Sequence, residues 1–363
     1  MISKFKRARR FLRAIIILLI ISLHSSITGC SKPSDNSTSQ KVGFYFDTVV
    51  SLTAYNKDFI SDDSNFFTKN SDAEKKCSDF LDDCLTECSH YENLFSASKE
   101  GSDIWNINNA HGKSVEVDSS TYQLIEKALY YSALTDGLFD PTIGIVTNLW
   151  NFHADSDKSI PDDKTLNDAL LHVDYKTIKL SRSDNKYFVQ LTDPEARIDL
   201  GGIAKGFIAD KLKEFYKEKG AISGIINLGG NVLLVGQKPG TESSFSVGIQ
   251  KPFGNSNEPI LTLSLNDRSL VTSGIYDRFF EKDGIIYHHI LDPATGFPIK
   301  NNIYSATIVS ESSVDGDALS TICFSLGTEK GMELIESIPD TYVLFVTNDY
   351  EIVYSDGFPG IKP

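Results

Sequence analysis

The alternation of apolar and polar positions divides the chain into short elements of both kinds. From Gly43 to Tyr55 β-branched and aromatic residues alternate with polar ones, which predicts a strand. Lys75 to Tyr91 instead places Phe80, Leu81, Cys84, Leu85 and Cys88 at helical spacing. Asp118-Ser119-Ser120 offers caps for a helix through Tyr131 that stops at Gly137, and Asp162 or Asp163 opens a shorter one carrying Leu166, Leu170 and Leu171. Strands are expected at Thr177–Leu180, Tyr187–Leu191 and Arg197–Leu200, then a helix from Ile203 to Lys219 ending at Gly220. Further strands follow at Gly224–Leu228, Val232–Val235, Phe245–Gln250, Ile260–Leu265 and Ile285–Leu291. Two helices, Ser313–Leu326 and Glu329–Ile335, precede closing strands at Tyr342–Thr347 and Glu351–Tyr354. Strands and helices mix without βαβ alternation, so the fold class expected is α+β.

The first forty residues follow another pattern. A basic head with no acid before Asp35 leads into an apolar run, Ala14 to Leu23, and then Ile27-Thr28-Gly29-Cys30. That run is about half the roughly 20 residues a spanning helix needs, so 1–29 reads as an export signal. Gly29 before Cys30 resembles a bacterial lipobox, in which the cysteine takes a diacylglyceryl group; an ordinary secretory signal is the alternative. Two acyl chains, at about 0.8 kcal/mol per buried CH₂, hold a protein stably on a bilayer. Residues 30–42 are expected to be the lipidated cysteine and a flexible polar tether, with one folded unit over 43–363.

Charge sharpens this reading. The chain carries 35 Lys and Arg against 49 Asp and Glu, a net of −14. Removing the six basic residues of the head leaves 29 against 49, a net of −20. Such a surface repels nucleic acid and anionic lipid, and an anionic substrate must meet local positive charge or a metal ion. Cys77, Cys84 and Cys88 share one helix face, which reads as a buried stripe rather than a metal cluster.

Four clusters carry candidate chemistry. Arg197-Ile198-Asp199-Leu200-Gly201-Gly202-Ile203-Ala204-Lys205-Gly206 reads as strand, tight turn and helix start, an arrangement that aims backbone N–H groups and Lys205 at an anion or simply turns the chain. It is neither a Walker A loop nor a Rossmann fingerprint. In Val314-Asp315-Gly316-Asp317-Ala318-Leu319-Ser320-Thr321, Asp317 and Thr321 are i and i+4 on a helix, a pair of hard oxygens suited to Mg²⁺, or else Asp315 caps the helix and Thr321 packs. In Tyr287-His288-His289-Ile290-Leu291-Asp292-Pro293-Ala294-Thr295-Gly296, only one of the two histidines can face a given site, as a structural residue or as a general base. Asp136-Gly137-Leu138-Phe139-Asp140-Pro141-Thr142-Ile143-Gly144, with Asn148-Leu149-Trp150, has a structural account as a helix start.

In this order and wording, together with Asn227-Leu228-Gly229-Gly230-Asn231 and Thr272-Ser273-Gly274, the clusters closely resemble the ApbE family over roughly Phe44 to Tyr354. The resemblance implies a single two-lobed domain of mixed, mainly antiparallel sheet with flanking helices. It implies an FAD:protein FMN transferase that uses Mg²⁺, leaves FMN on a threonine or serine of a partner through a phosphodiester, and releases AMP. By the same resemblance Asp317, Thr321 and the Gly202 carbonyl are metal ligands. Phe46, Tyr91, Leu138, Phe139, Asp140, Asp199, Lys205 and Leu291 contact FAD, and His289 is the base. Some members have a second carboxylate just before the metal-binding threonine; Ser320 stands there, which implies more water around the metal. The expected partner is an exported acceptor bearing an Asp-x-x-Ser/Thr-Gly-Ala-Ser/Thr type segment, of which this chain has no good copy. Alternatives from the same residues are an FAD pyrophosphatase giving FMN and AMP, and a non-catalytic flavin-binding lipoprotein. The location expected is the extracytoplasmic face of the cell membrane, by lipid anchor and without nucleic acid.

Overall fold

The computed structural model describes residues 37–60, 69–152, 158–240, 244–254 and 258–361. The signal, Cys30 and the start of the tether lie outside them. Residues 35–363 form one compact unit.

The spine is an eight-stranded sheet in which neighbours in sequence are neighbours in space. Its strands are β1 (Thr38–Tyr45), β2 (Thr48–Tyr55), β3 (Gly224–Leu228), β4 (Asn231–Val235), β5 (Ser269–Gly274), β6 (Ile303–Ser310), β7 (Tyr342–Thr347) and β8 (Ile352–Tyr354), antiparallel throughout. The single strand expected over Gly43–Tyr55 is instead a hairpin. Phe46 and Asp47 both take positive φ, 55° and 56°, which reverses the chain in two residues. β1 begins at Thr38, inside the tether expected to reach 42; Ser39 Oγ donates to Asn56 Oδ1 and Lys41 pairs with Asp82. Polar residues there find partners on β2, in the turn after it and on the long helix beside it, so the leash is shorter than composition suggested.

Everything else is inserted between these strands. The stretch from β2 to β3 holds α1 (Lys69–Phe95), α2 (Asp103–Asn108), α3 (Ser119–Leu134), α4 (Gly144–Trp150), α5 (Asp163–Leu170) and α6 (Ala204–Glu218), with a small sheet of Val115–Val117, Ile178–Ser183 and Lys186–Leu191. The last helix, α7 (Ser313–Glu336), bends at Gly327, φ 75°, where the sequence had divided it in two. Alternating strand residues bury both faces of the sheet. Leu52, Ile226, Leu233, Ile308 and Phe345 meet the helices, while Leu234, Leu270, Val309 and Leu344 meet a hairpin of Phe245–Gln250 and Pro259–Leu265. Cys77, Cys84 and Cys88 lie wholly inside the first of these cores, and burial pushes the Cys77 thiol up to about 11 and Cys88 to about 12. A third core forms around Trp150, fully buried against Leu166, Phe280 and Leu291, with its indole N–H donating to the Gly296 carbonyl at 2.7 Å. No helix among the described residues is long and apolar enough to cross a membrane.

Candidate active site

The site grows from the place where α6 crosses α7. A Cβ on Gly206 would overlap the Ser313 carbonyl oxygen and sit 2.7 Å from Asp317 Cβ, so only glycine permits this approach. The closeness lets the Gly206 N–H donate to Asp317 Oδ2 at 2.8 Å. Asp317 is 4% exposed, and its Oδ1 lies 3.8 Å from Lys205 Nζ, which donates to the Gly201 carbonyl at 3.1 Å. α7 is fixed at its start by a carboxylate from the other helix: Asp210 accepts from Ser313 N and Val314 N, each at 2.9 Å, and from Ser312 Oγ. Burial pushes the Asp210 carboxyl up while those bonds pull it back. Asp315, one candidate for the cap, instead takes the Tyr131 hydroxyl and Lys127, both at 2.6 Å, because Ser312 and Asp210 already satisfy the helix start.

Thr321 sits one turn beyond Asp317, with Oγ1 3.1 Å from Ser273 Oγ on β5. A Cβ built on Gly202 would lie 3.7 Å from Thr321 Oγ1 and 3.2 Å from the Phe139 ring. Gly202, Thr321 and Phe139 therefore meet, and the missing side chain leaves the space between them open. Ser320 is fully buried; its hydroxyl donates to the Asp317 carbonyl and meets Ser273 Oγ on β5.

The segment before this turn corrects the sequence reading. Arg197–Leu200 is not a regular strand; it makes one parallel bridge, Ile143 to Arg197. Asn108 holds it instead, accepting from Ile198 N at 2.7 Å and donating to Ile198 O at 2.9 Å, as a neighbouring strand would. Nor is the turn a row of free donors. Gly201 N–H is taken by Asp199 Oδ1, those of Ile203 and Ala204 by Leu200 O, and that of Gly206 by Asp317. Positive charge at the turn thus rests on Lys205.

The segment from Leu138 to Asp140 is pinned by Thr135, whose carbonyl accepts from Leu138 N and whose hydroxyl accepts from Phe139 N, both at 3.1 Å. Asp140 spends both oxygens inside the chain, Oδ1 on the Thr142 N–H and hydroxyl and Oδ2 on Tyr175 N. Leu291 bridges to Pro298 and belongs to the Trp150 core. Phe46, at the tip of the first hairpin, donates its N–H to Glu92 Oε1 at 2.8 Å. Tyr91, one residue earlier on α1, stacks on Phe95 with ring centres 5.6 Å apart, and Phe95 meets Phe207 of α6 edge-on. The aromatic corner and the polar crossing are thus joined through α6.

The two histidines part as strand alternation requires. His288 is buried, donates from Nε2 to the Ile299 carbonyl at 3.0 Å, and is pushed down to about 4 by burial. His289 has its backbone N–H and its Nδ1 both directed at the Arg278 carbonyl, 3.1 and 3.2 Å away. A carbonyl only accepts, so Nδ1 carries the proton and Nε2 keeps a lone pair. Desolvation, then the charges of Arg278, His288 and Lys205, depress its pKa to about 3, so the ring is neutral at physiological pH. Sequence reasoning singled out neither Asn108 nor Arg278; the first acts by an ordinary side chain and the second by its carbonyl and its charge, and neither has a local signature.

Fold and site together define a class: an α+β protein built on a meander sheet, in which Lys205, the buried Asp317 and Thr321 gather where α6 crosses α7 and a neutral imidazole lies near the same lysine. The ApbE family model matches residues 46–345, and this chain belongs to that family. It is 37% identical over 288 residues to an FAD:protein FMN transferase of Treponema pallidum, covering 76% of this chain and 79% of that one. An enzyme of the same name from Klebsiella pneumoniae is 36% identical over 268 residues, covering 73% and 81%. Among solved structures, the ApbE protein of Thermotoga maritima superposes with a TM-score of 0.76 at 29% identity, over 88% of this chain and 97% of that one. The flavin transferase ApbE of Vibrio cholerae shares the fold, with a TM-score of 0.73 at 24% identity over 89% and 98%.

Proposed function

We propose that this chain is an FAD:protein FMN transferase that acts with Mg²⁺. The observation that carries the reading is the pairing of a neutral, correctly tautomeric His289 with the Lys205–Asp317–Thr321 crossing. The acceptor's threonine or serine hydroxyl attacks the phosphorus of the FMN half, and its proton passes to His289 Nε2. The bond from that phosphorus to the oxygen bridging toward AMP breaks, AMP departs, and a phosphodiester joins flavin to partner. Lys205 offsets the pyrophosphate charge in a chain that is otherwise strongly acidic.

The donor set fits a hard cation: a buried carboxylate and a hydroxyl one helical turn apart, beside the open Gly202 backbone. Asp317, Thr321 and the Gly202 carbonyl would hold Mg²⁺, with water and phosphate completing the shell, since no group of three His, Cys, Asp or Glu gathers around one point among the described residues. Bound there, Mg²⁺ supplies charge neutralisation to the pyrophosphate and its leaving group. On this reading Phe46 and Tyr91 face the flavin, and Leu138, Phe139, Asp199 and Leu291 bound the cleft.

We also propose that the enzyme is lipid-anchored through Cys30 on the extracytoplasmic face of the membrane. β1 begins eight residues later, so a fully extended leash is under about 30 Å and keeps the enzyme at the surface where an exported acceptor would be met. The test is incubation of the purified protein with FAD, Mg²⁺ and an acceptor bearing an Asp-x-x-Ser/Thr-Gly-Ala-Ser/Thr segment. Flavin fluorescence on the acceptor should survive a denaturing gel, and Asp317→Ala should abolish it. Free FMN and AMP without labelled acceptor would make the protein a pyrophosphatase. FAD retained without turnover would make it a carrier.

A further inference from the structure

Between the crossing and the sheet lies a chain of three hydroxyls. Ser320 Oγ donates to the Asp317 carbonyl at 2.8 Å, Ser273 Oγ lies 2.8 Å from Ser320 Oγ, and Thr321 Oγ1 lies 3.1 Å from Ser273 Oγ. Each hydroxyl has one proton to give. A carbonyl oxygen cannot donate, so the proton of Ser320 is committed to Asp317. Ser273 must then donate to Ser320, and Thr321 must donate to Ser273. The direction of the whole chain is set by its last member.

We propose that Ser273 and Ser320 are positioning residues for the cation site: they draw the Thr321 proton inward and leave both Oγ1 lone pairs for a metal ion. This rests on the Mg²⁺ reading above and deepens it. A helical threonine otherwise tends to return its proton to the carbonyl one turn back. For Thr321 that carbonyl belongs to Asp317, and Ser320 already occupies it. Ser320 thus serves the metal without touching it. Ser273 lends its hydroxyl from β5, so the sheet as well as the helix sets the ligand.

The test is titration of Mn²⁺, as a probe for the divalent cation, into the full chain in detergent, following the free ion by electron paramagnetic resonance. Residues that orient a metal ligand typically change affinity by about 10- to 100-fold. Ser273→Ala should weaken Mn²⁺ at least about tenfold, and Ser273→Thr, which keeps the hydroxyl, should restore most of it. Ser320→Ala should weaken it less, because Ser273 can then still accept from Thr321. Since Ser273 acts through Thr321, Ser273→Ala combined with Thr321→Val should bind no more weakly than Thr321→Val alone. In chelator the melting temperature of Ser273→Ala should match the parent, while the rise on adding Mn²⁺ shrinks. Parental Mn²⁺ affinity in Ser273→Ala, with affinity lost in Asp317→Ala, would overturn the relay alone. Parental affinity in Asp317→Ala would remove the metal site beneath it.

Discussion

At the α6–α7 crossing the polar atoms are held by short hydrogen bonds to side-chain oxygens, whereas at the corner of α1 and the first hairpin rings are held by contact area. Gly206, Asp317, Thr321 and Ser273 are tied at 2.8 and 3.1 Å, and the helices cannot approach or part without losing those bonds. Tyr91 touches Phe95 at 5.6 Å between centres, and Phe46 packs against the core and Tyr45 while its N–H donates to Glu92. The difference follows from what each end would recognise. Charge neutralisation falls steeply when a charged group shifts, while stacking on a large planar ring tolerates sliding. The two ends should therefore respond differently to mutation.

The largest effect is expected at the tightest point. Gly206→Ala puts a methyl into the Ser313 carbonyl, and the helices must separate. Overpacking of this kind costs about 1–3 kcal/mol, and here it also breaks the bond orienting Asp317. Flavin transfer should be lost outright and the melting temperature should fall; a fully active Gly206→Ala would mean that the crossing does not set the site. His289→Asn comes next. A general base typically contributes 10²–10⁴-fold, so kcat should drop by that factor with little change in KM for FAD. Because His289 is held neutral, the parental rate should show no loss through a protonation near 6.5.

A smaller effect concerns acid stability. His288 and His289 have folded pKa values of about 4 and about 3, against an ordinary 6.5. The unfolded chain binds their protons first, so their contribution is complete above pH 6.5 and is lost as pH falls from 6.5 toward 4 and 3. Buried His288 alone accounts for on the order of 2 kcal/mol between pH 7 and pH 5. Urea midpoints at the two pH values should show the protein weaker at pH 5, and His289→Asn should narrow that gap.

How much of this was legible in the sequence divides along the same line. The helix at the crossing and the strand alternation of the histidines were readable, because periodicity places Asp317 over Thr321 and puts His288 and His289 on opposite faces. The motif wording gave the family. What could not be read was anything made by two distant segments. The Asn108 clamp joins positions 90 residues apart and replaces a strand that local pattern favoured. The Asp210 cap of α7 comes from another helix and frees Asp315 for Tyr131. The first hairpin was missed because Phe46 and Asp47 lack the Asn-Gly or Asp-Gly signature of such turns, and a bulky residue at positive φ is costly. Its position beside the proposed flavin contacts suggests why that strain is kept.

The smallest effect is expected at the aromatic corner, and it separates the two regions most directly. Tyr91→Leu keeps an apolar side chain against Phe95 and Phe207 but removes the ring. Aromatic pairs are worth about 0.5–1.5 kcal/mol beyond area, so KM for FAD should rise from about twofold to about tenfold. The tyrosine is 9% exposed and burial holds its hydroxyl up at about 12, so it stays uncharged and Tyr91→Phe should behave as the parent. Mn²⁺ affinity should be unchanged in both, since nothing at this corner reaches Asp317 or Thr321. A loss of kcat in Tyr91→Leu comparable to that of His289→Asn would show that the corner is as strictly positioned as the crossing, and the contrast between rigid charge recognition and tolerant ring recognition would fail.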